Sequence, residues 1–288
     1  MAERKRDAAG ETWDLLITPK RGWLDIDLAG VWRYRDLVLL LFKRDFVALY
    51  KQTILGPLWY LIQPLLTTLV FTLVFGAIAR IPTDGVPPFL FYMSGVVIWN
   101  FFAACLGKTS DTFVGNAAIF GKVYFPRLVV PISVVLSNML TLAIQFTLLL
   151  AMMLIYRLRG AAVPFGAELL LLPPLLLYVS ILGLGTGIMV SSLTTRYRDL
   201  TFVVAFAIQL WMYATPIVYP LSQIPEKWSW AFALNPMTAP VEAFRWCLFG
   251  TGSITAALWG CSVFVTLVVV CAGLVLFTHT EKISMDTV

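Results

Sequence analysis

Six apolar stretches, at about 53–79, 89–107, 127–156, 168–194, 200–219 and 253–278, dominate this 288-residue chain. Each approaches or exceeds the roughly 20 residues that a helix needs to cross a bilayer core. Inside lipid no water is available to pair backbone N–H and C=O groups, so each crossing must satisfy them within its own helix. The expected fold is therefore an all-α membrane protein with six transmembrane helices per chain. Composition agrees: 59% of residues are hydrophobic and 13% charged, against about 45–50% and about 25% in soluble domains. Pro57 and Pro64 interrupt the first stretch and Pro173–Pro174 the fourth. Membrane helices tolerate this where neighbouring groups pair the freed carbonyls.

Lys and Arg set the orientation. Of the 21 in the chain, sixteen fall in the segment before residue 52, at 108–127, at 196–198 and in the tail; the other side holds Arg80, Arg157, Arg159, Lys227 and Arg245. The positive-inside rule then places both termini in the cytoplasm. The net charge of +5 reads as orientation and not as a nucleic-acid surface, since no long basic run exists. Residues 1–30 form a polar tail without the apolar core of a signal peptide. Residues 31–51 read as an amphipathic helix, with Arg33, Asp36, Lys43, Arg44 and Lys51 on one arc and Val31, Val38, Phe42, Phe46 and Leu49 opposite. Two readings are open: a helix lying in the headgroup layer, or one packed on other protein. Residues 52–280 form the six-helix membrane domain and 281–288 a short tail.

Leu221–Gly252 is too short for two crossings, and one crossing would reverse the C-terminus against the charge distribution. Glu242 and Arg245 facing lipid would together cost roughly 5–7 kcal/mol. Yet Trp228, Trp230, Phe232, Phe244 and Trp246 are too apolar for a free loop. Two short helices at about 226–234 and 237–248, dipping in and turning at Asn235–Pro236, resolve the conflict. Glu242 and Arg245, three apart, lie close enough to pair with each other or across a dimer. If the chain lines a channel, the pair, with Asn235, Pro236, Glu242 and Arg245, is the expected outer gate.

Several motifs carry no chemistry. Gly107-Lys108-Thr109 imitates the end of a phosphate-binding loop, but Phe102 stands where the opening glycine belongs; Gly115 to Lys122 ends in Val123 where Ser or Thr is required. Neither follows a strand, so no ATP site is expected in this chain. Gly183 and Gly187 form a small-residue face for close helix packing. His279 is the only histidine and the four cysteines lack metal-ligand spacing, so no metal site is expected. Among acidic residues only Glu168 and Glu242 lie near apolar segments, so ion-coupled transport lacks its usual intramembrane carboxylates.

Function must then lie in loops and channel walls. Asn116 is positioned as an N-cap, and Gly121 and Pro126 end the helix early, giving a short helix at about 116–124 with Phe120 and Tyr124 on one face. It continues into Phe125-Pro126-Arg127. It either presents an aromatic knob to a partner protein or folds its rings onto the bilayer. Arg196 and Arg198 turn the fourth stretch into the fifth, either as headgroup anchors or as partner contacts. Trp59, Tyr60, Trp211, Tyr213 and Tyr219 are belt or lipid-facing aromatics, or else a channel lining on which sugar rings stack and slide, by analogy with bases on aromatic platforms.

RDFVALYKQTILGPLWYLIQPL, FGKVYFPRLVVPIS, RYRDL, TPIVYP and LNPMTAPVEAFR occur in this order. Over about residues 33–280 the chain resembles the permease subunit of the type-2 ABC exporters, in the branch that exports lipid-linked O-antigen or teichoic acid. The resemblance implies a bacterial cytoplasmic-membrane homodimer around a channel, joined to two copies of a separate subunit that binds ATP and Mg, with no cofactor in this chain. It implies that the 116–124 helix couples to that subunit, that the amphipathic helix lies at the inner leaflet, and that a re-entrant pair precedes the last span. An exporter of drugs or small lipids is the alternative within the class. An intramembrane glycosyl or acyl transferase is the alternative outside it, and would need convergent carboxylates or a His/Asp pair.

Overall fold

A computed structural model describes residues 5–6, 12–13, 28–51, 56–123, 125–164, 166–197 and 199–286. Apart from a two-residue antiparallel pair, Lys5–Arg6 with Thr12–Trp13, the described chain is helical. The helices are α1 (Leu28–Arg33), α2 (Arg35–Tyr50), α3 (Trp59–Phe71), α4 (Pro88–Ser110), α5 (Thr112–Gly115), α6 (Ala117–Phe120), α7 (Val129–Leu158), α8 (Leu172–Arg196), α9 (Leu200–Tyr213), α10 (Glu226–Leu234), α11 (Thr238–Phe249) and α12 (Ala256–Asp286). A 3-10 turn leads into α3, and a π-helical stretch, Thr72–Ile78, extends it past Pro64.

Five of these segments are long and apolar enough to cross a membrane: Gly56–Ile78, Pro88–Ser110, Val129–Leu158, Ala167–Arg196 and Ala256–Lys282. The fifth apolar stretch of the sequence forms a shorter helix, α9, with 14 residues, about 21 Å at 1.5 Å per residue. It stops at Tyr213 because Pro216 cannot continue it, and residues 214–219 form turns.

α4 is the centre of the bundle, buried along nearly its whole length and packed by α3, α7, α8, α9 and α11. α8 meets α4 on one face and α12 on the other, and glycines set both distances. A Cβ at Gly187 would lie 2.5 Å from Thr109 Cβ on α4, and one at Gly185 would lie 2.5 Å from Val270 Cγ2 on α12. The small-residue face expected at Gly183 and Gly187 is thus one of two. Tyr178 Oη adds hydrogen bonds to Ser262 (2.8 Å) and Thr266 (2.6 Å) across the α8–α12 seam.

α1 and α2 differ from the continuous amphipathic helix expected at 31–51. The helix breaks at Tyr34, and α2 packs on α7, where Val38, Tyr34, Leu37 and Leu41 meet Val129, Val130, Ile132 and Leu136. Leu39 and Leu40 are exposed although the sequence arc did not include them. Packing on protein is therefore realised along one face, with apolar side chains left over on another.

Candidate functional site

α3, α4, α7, α8, α9 and α12 run back and forth, giving the bundle a basic end, with residues 108–129 and 196–200, and an opposite end, with residues 79–87 and 214–255. The opposite end carries a buried polar cluster that contains an ion pair, Arg245 with Glu242. α9 ends at Tyr213, and the chain turns through Thr215-Pro216-Ile217, with Ile217 N–H donating to Thr215 O at 2.7 Å. This turn is buried, so its carbonyls need partners. Arg245 on α11 supplies them: Nη1 donates to Pro216 O (2.6 Å) and Nη2 to Ile217 O (2.7 Å). The planar guanidinium offers several donors in a fixed fork, and its face lies 3.7 Å from the centroid of the Phe91 ring.

The charge itself is met by Glu242, one turn earlier, with Nη1 3.4 Å from Oε1. Glu242 Oε2 accepts from Ser253 N–H at 2.8 Å, fixing the loop that leads into α12. Glu242 and Arg245 are each only 2% exposed. Of the two pairings the sequence left open, the one within the chain is present. Gly95 on α4 makes room: a Cβ there would sit 2.9 Å from Ile217 Cγ2 and 3.1 Å from Arg245 Nη2.

The turn between α10 and α11 is built around Asn235. Its Oδ1 accepts from the Trp211 indole (3.0 Å) and from Met237 N–H (3.0 Å), while Nδ2 donates to Ala214 O and Thr215 Oγ1 (3.0 Å each). Pro236 O accepts from Ser262 Oγ on α12 at 2.7 Å. Asn235, Pro236, Glu242 and Arg245 therefore fasten α11 to α9, α4 and α12. α11 ends at Gly250, whose φ of +70° is the left-handed conformation that suits glycine at a helix C-terminus.

The five aromatics expected to line a channel do not converge within the chain. Trp59 and Tyr60 start α3, which packs on α4 and α7; Trp211 and Tyr213 end α9, which packs on α4 and α8. The half-buried Trp211 stacks edge-on against Phe102 (5.1 Å) and Trp99 (6.3 Å). Tyr219 donates to Tyr213 O (2.8 Å) and meets Phe232 edge-on. Trp59 and Tyr213 are exposed at 53% and 45%. Trp211 and Tyr219 thus make contacts within the chain, and Tyr60 is half-buried.

At the basic end the expected 116–124 helix is only α6, four residues long. Asn116 holds the N-cap position without capping; its Nδ2 instead donates back to Thr112 O at 3.0 Å. Phe120 is half-buried against Phe113 and Phe125. It is therefore no free knob, because three rings at this end bury one another. Arg127, 5% exposed, lies over the rings of Phe120 (5.2 Å) and Phe113 (5.7 Å) and donates its backbone N–H to Glu281 Oε1 at 3.4 Å. Burial pushes the Arg127 guanidinium below its ordinary pKa, and the nearby Glu281 opposes that shift. The exposed apolar side chains of the segment are Val114, Ile119 and Val123. Arg196 is exposed and lies against the Tyr197 ring (5.6 Å); Tyr124 and Arg198 lie outside the described residues.

Sequence reasoning missed Glu281, which is buried near the end of α12; its signal was a carboxylate one turn past an apolar run. It also missed Phe91 and Gly95, whose role depends on a contact from more than a hundred residues away and leaves no local signal.

The chain matches the ABC-2 type transporter family over residues 36–249. A Klebsiella pneumoniae protein named O-antigen export system permease protein RfbA is 30% identical over 73% of this chain and 79% of its own length. A second Klebsiella protein of that name is 28% identical over 85% of this chain and 92% of its own. One from Myxococcus xanthus is 30% identical over 75% and 81%. The family match covers far more than half of a chain with five crossing-length helices, and the chain belongs to the ABC-2 type transporter family, as a transport permease and not an enzyme.

Proposed function

We propose that this chain is the transmembrane subunit of an ATP-driven exporter that moves lipid-linked polysaccharide, of O-antigen or teichoic-acid type, across the bacterial cytoplasmic membrane. The observation that carries this reading is the similarity, along most of their length, to three permeases named for O-antigen export. Two copies form the channel, each joined to an ATP-binding subunit that supplies the ATP and Mg chemistry. Both termini are cytoplasmic, so the basic end faces the cytoplasm. α9 with its following turn makes a sixth crossing, α2 lies at the inner leaflet, and α10–α11 form a re-entrant pair at the outer mouth.

α9 has no buried residue, with Phe202 84% and Phe206 63% exposed, and α3 with its π-helical extension leaves Leu66, Leu69, Val70 and Leu73 open; lipid tails or the second copy of the proposed dimer would cover these faces. Docking of the ATP-binding subunit falls to Val114, Ile119 and Val123, with Phe120, Phe125 and Arg127 holding the segment in shape.

Purification with the ATP-binding subunit, followed by ATPase assays with undecaprenyl-linked glycan and with a small amphiphilic drug, tests the reading. Stimulation by the glycan alone is the expected result; stimulation by the drug alone would overturn the substrate class. Ile119→Asp should abolish copurification, and an intact complex would remove this segment from the docking surface.

A further inference from the structure

At the basic end a cleft of about 290 Å³ opens between α2 and α7, remote from the Glu242–Arg245 cluster. Its walls are apolar: Phe42 and Phe46, with rings stacked 6.4 Å apart, on α2, facing Val134 and Leu140 on α7. Its polar lining is Lys108, from the last turn of α4, with Asp45, Ser137 and Thr141. α4 is a crossing-length helix, so its last turn lies at headgroup depth whichever way the bundle points. The Lys108 ammonium is not left to wander. It donates to Asn138 Oδ1 at 3.0 Å, and Asn138 is 1% exposed. An ammonium carries three donors, so this bond leaves donors for a ligand.

Asp45 also borders the cleft, yet its charge is already met. Arg44 donates to its Oδ1 through Nε (3.0 Å) and Nη2 (2.9 Å), and Ser137 Oγ donates to its Oδ2 at 3.2 Å. The cleft therefore offers one fixed cation at headgroup depth beside an apolar channel. That combination matches an anion joined to a hydrocarbon chain.

We propose that this cleft binds the phosphate of a membrane lipid, with Lys108 taking the phosphate and Phe42, Phe46, Val134 and Leu140 taking the first carbons of the chain. The site rests on the chain crossing a membrane and not on the polysaccharide reading. A phospholipid of the surrounding leaflet and a polyprenyl phosphate share the required chemistry, and the experiment separates them.

Native mass spectrometry of the purified full chain, titrated separately with phosphatidylglycerol, undecaprenyl phosphate, diacylglycerol and inorganic phosphate, measures occupancy. Phosphate-bearing lipids are expected to bind one per chain, about fivefold more weakly in Lys108→Gln, the effect of one cation near a membrane surface. Affinity should be kept in Lys108→Arg and in Lys43→Gln, which removes an exposed cation of α2 outside the cleft. Tighter retention of undecaprenyl phosphate assigns the cleft to a prenyl carrier, and tighter phosphatidylglycerol to the bulk leaflet. Diacylglycerol or inorganic phosphate binding as tightly as the lipids overturns the proposal, as does equal weakening by Lys43→Gln and Lys108→Gln. If Lys108→Gln lowers the melting temperature, Phe46→Glu serves instead: an anion in the chain path must weaken binding, and unchanged affinity refutes the site.

Discussion

α10 and α11 are neighbours of similar length, nine and twelve residues, and opposite in exposure. α10 has no buried residue and turns Trp228, Trp230 and Leu234 outward. α11 is buried along nearly its whole length and carries the charged pair. The Glu242–Arg245 pair sits inside, where protein groups offset its desolvation, while the α10 indoles sit outside together with Glu226 and Lys227. The candidate gate thus divides into a fixed half and a surface half. α11 is held by Arg245, Glu242, Asn235 and Pro236, and under the proposed gate any movement would fall to α10.

The largest effect that sharpens this contrast comes from Glu242→Ala. It leaves the Arg245 guanidinium buried without its counter-charge, a change that costs about 3–5 kcal/mol. Thermal unfolding of the detergent-solubilised protein should shift far below wild type. A shift no larger than that of an α10 surface variant would erase the distinction. Replacing both residues by Met should cost less than Glu242→Ala alone, because the orphaned charge is gone, although the Pro216 and Ile217 carbonyls still lose their donors.

Gly95→Val comes next. The added carbons must displace Ile217 and the Arg245 fork, and overpacking of this kind costs about 1–3 kcal/mol. Asn235→Ala ranks with it: the partly buried Trp211 indole and Thr215 Oγ1 lose a partner together, and a buried group left unpaired costs about 1–3 kcal/mol. Its melting temperature should fall with that of Gly95→Val, and a wild-type value would show that the turn is not fastened through Asn235.

The bounds of these two helices were legible in the sequence because three constraints met there: a segment too short for two crossings, charges too costly in lipid, and aromatics too apolar for a loop. The observed Glu226–Leu234 and Thr238–Phe249 lie within a residue of the expected 226–234 and 237–248. The long apolar helices were equally plain, since length and hydropathy are local properties. What was illegible depends on contacts distant in sequence. Nothing near Trp211 announces that its indole bonds Asn235, so a framework ring and a channel ring look alike. Phe120 is a similar case: an i, i+4 aromatic pair gives no local sign that Phe113, Phe125 and Arg127 pack around its ring.

The smallest stability effect belongs to Trp230→Ala. Its ring is 61% exposed, and a surface substitution of this kind changes stability within about 0.5 kcal/mol, so the melting temperature should match wild type. If α10 is the moving half of the outer mouth, export of lipid-linked glycan in reconstituted vesicles should still fall, and a disulfide between Trp230→Cys residues of two copies should stop it until reduced. An unchanged melting temperature with unchanged export and no disulfide block would make α10 a passive cover. A melting temperature lowered as far as that of Glu242→Ala would instead put α10 inside the framework, and the two helices would no longer differ in kind.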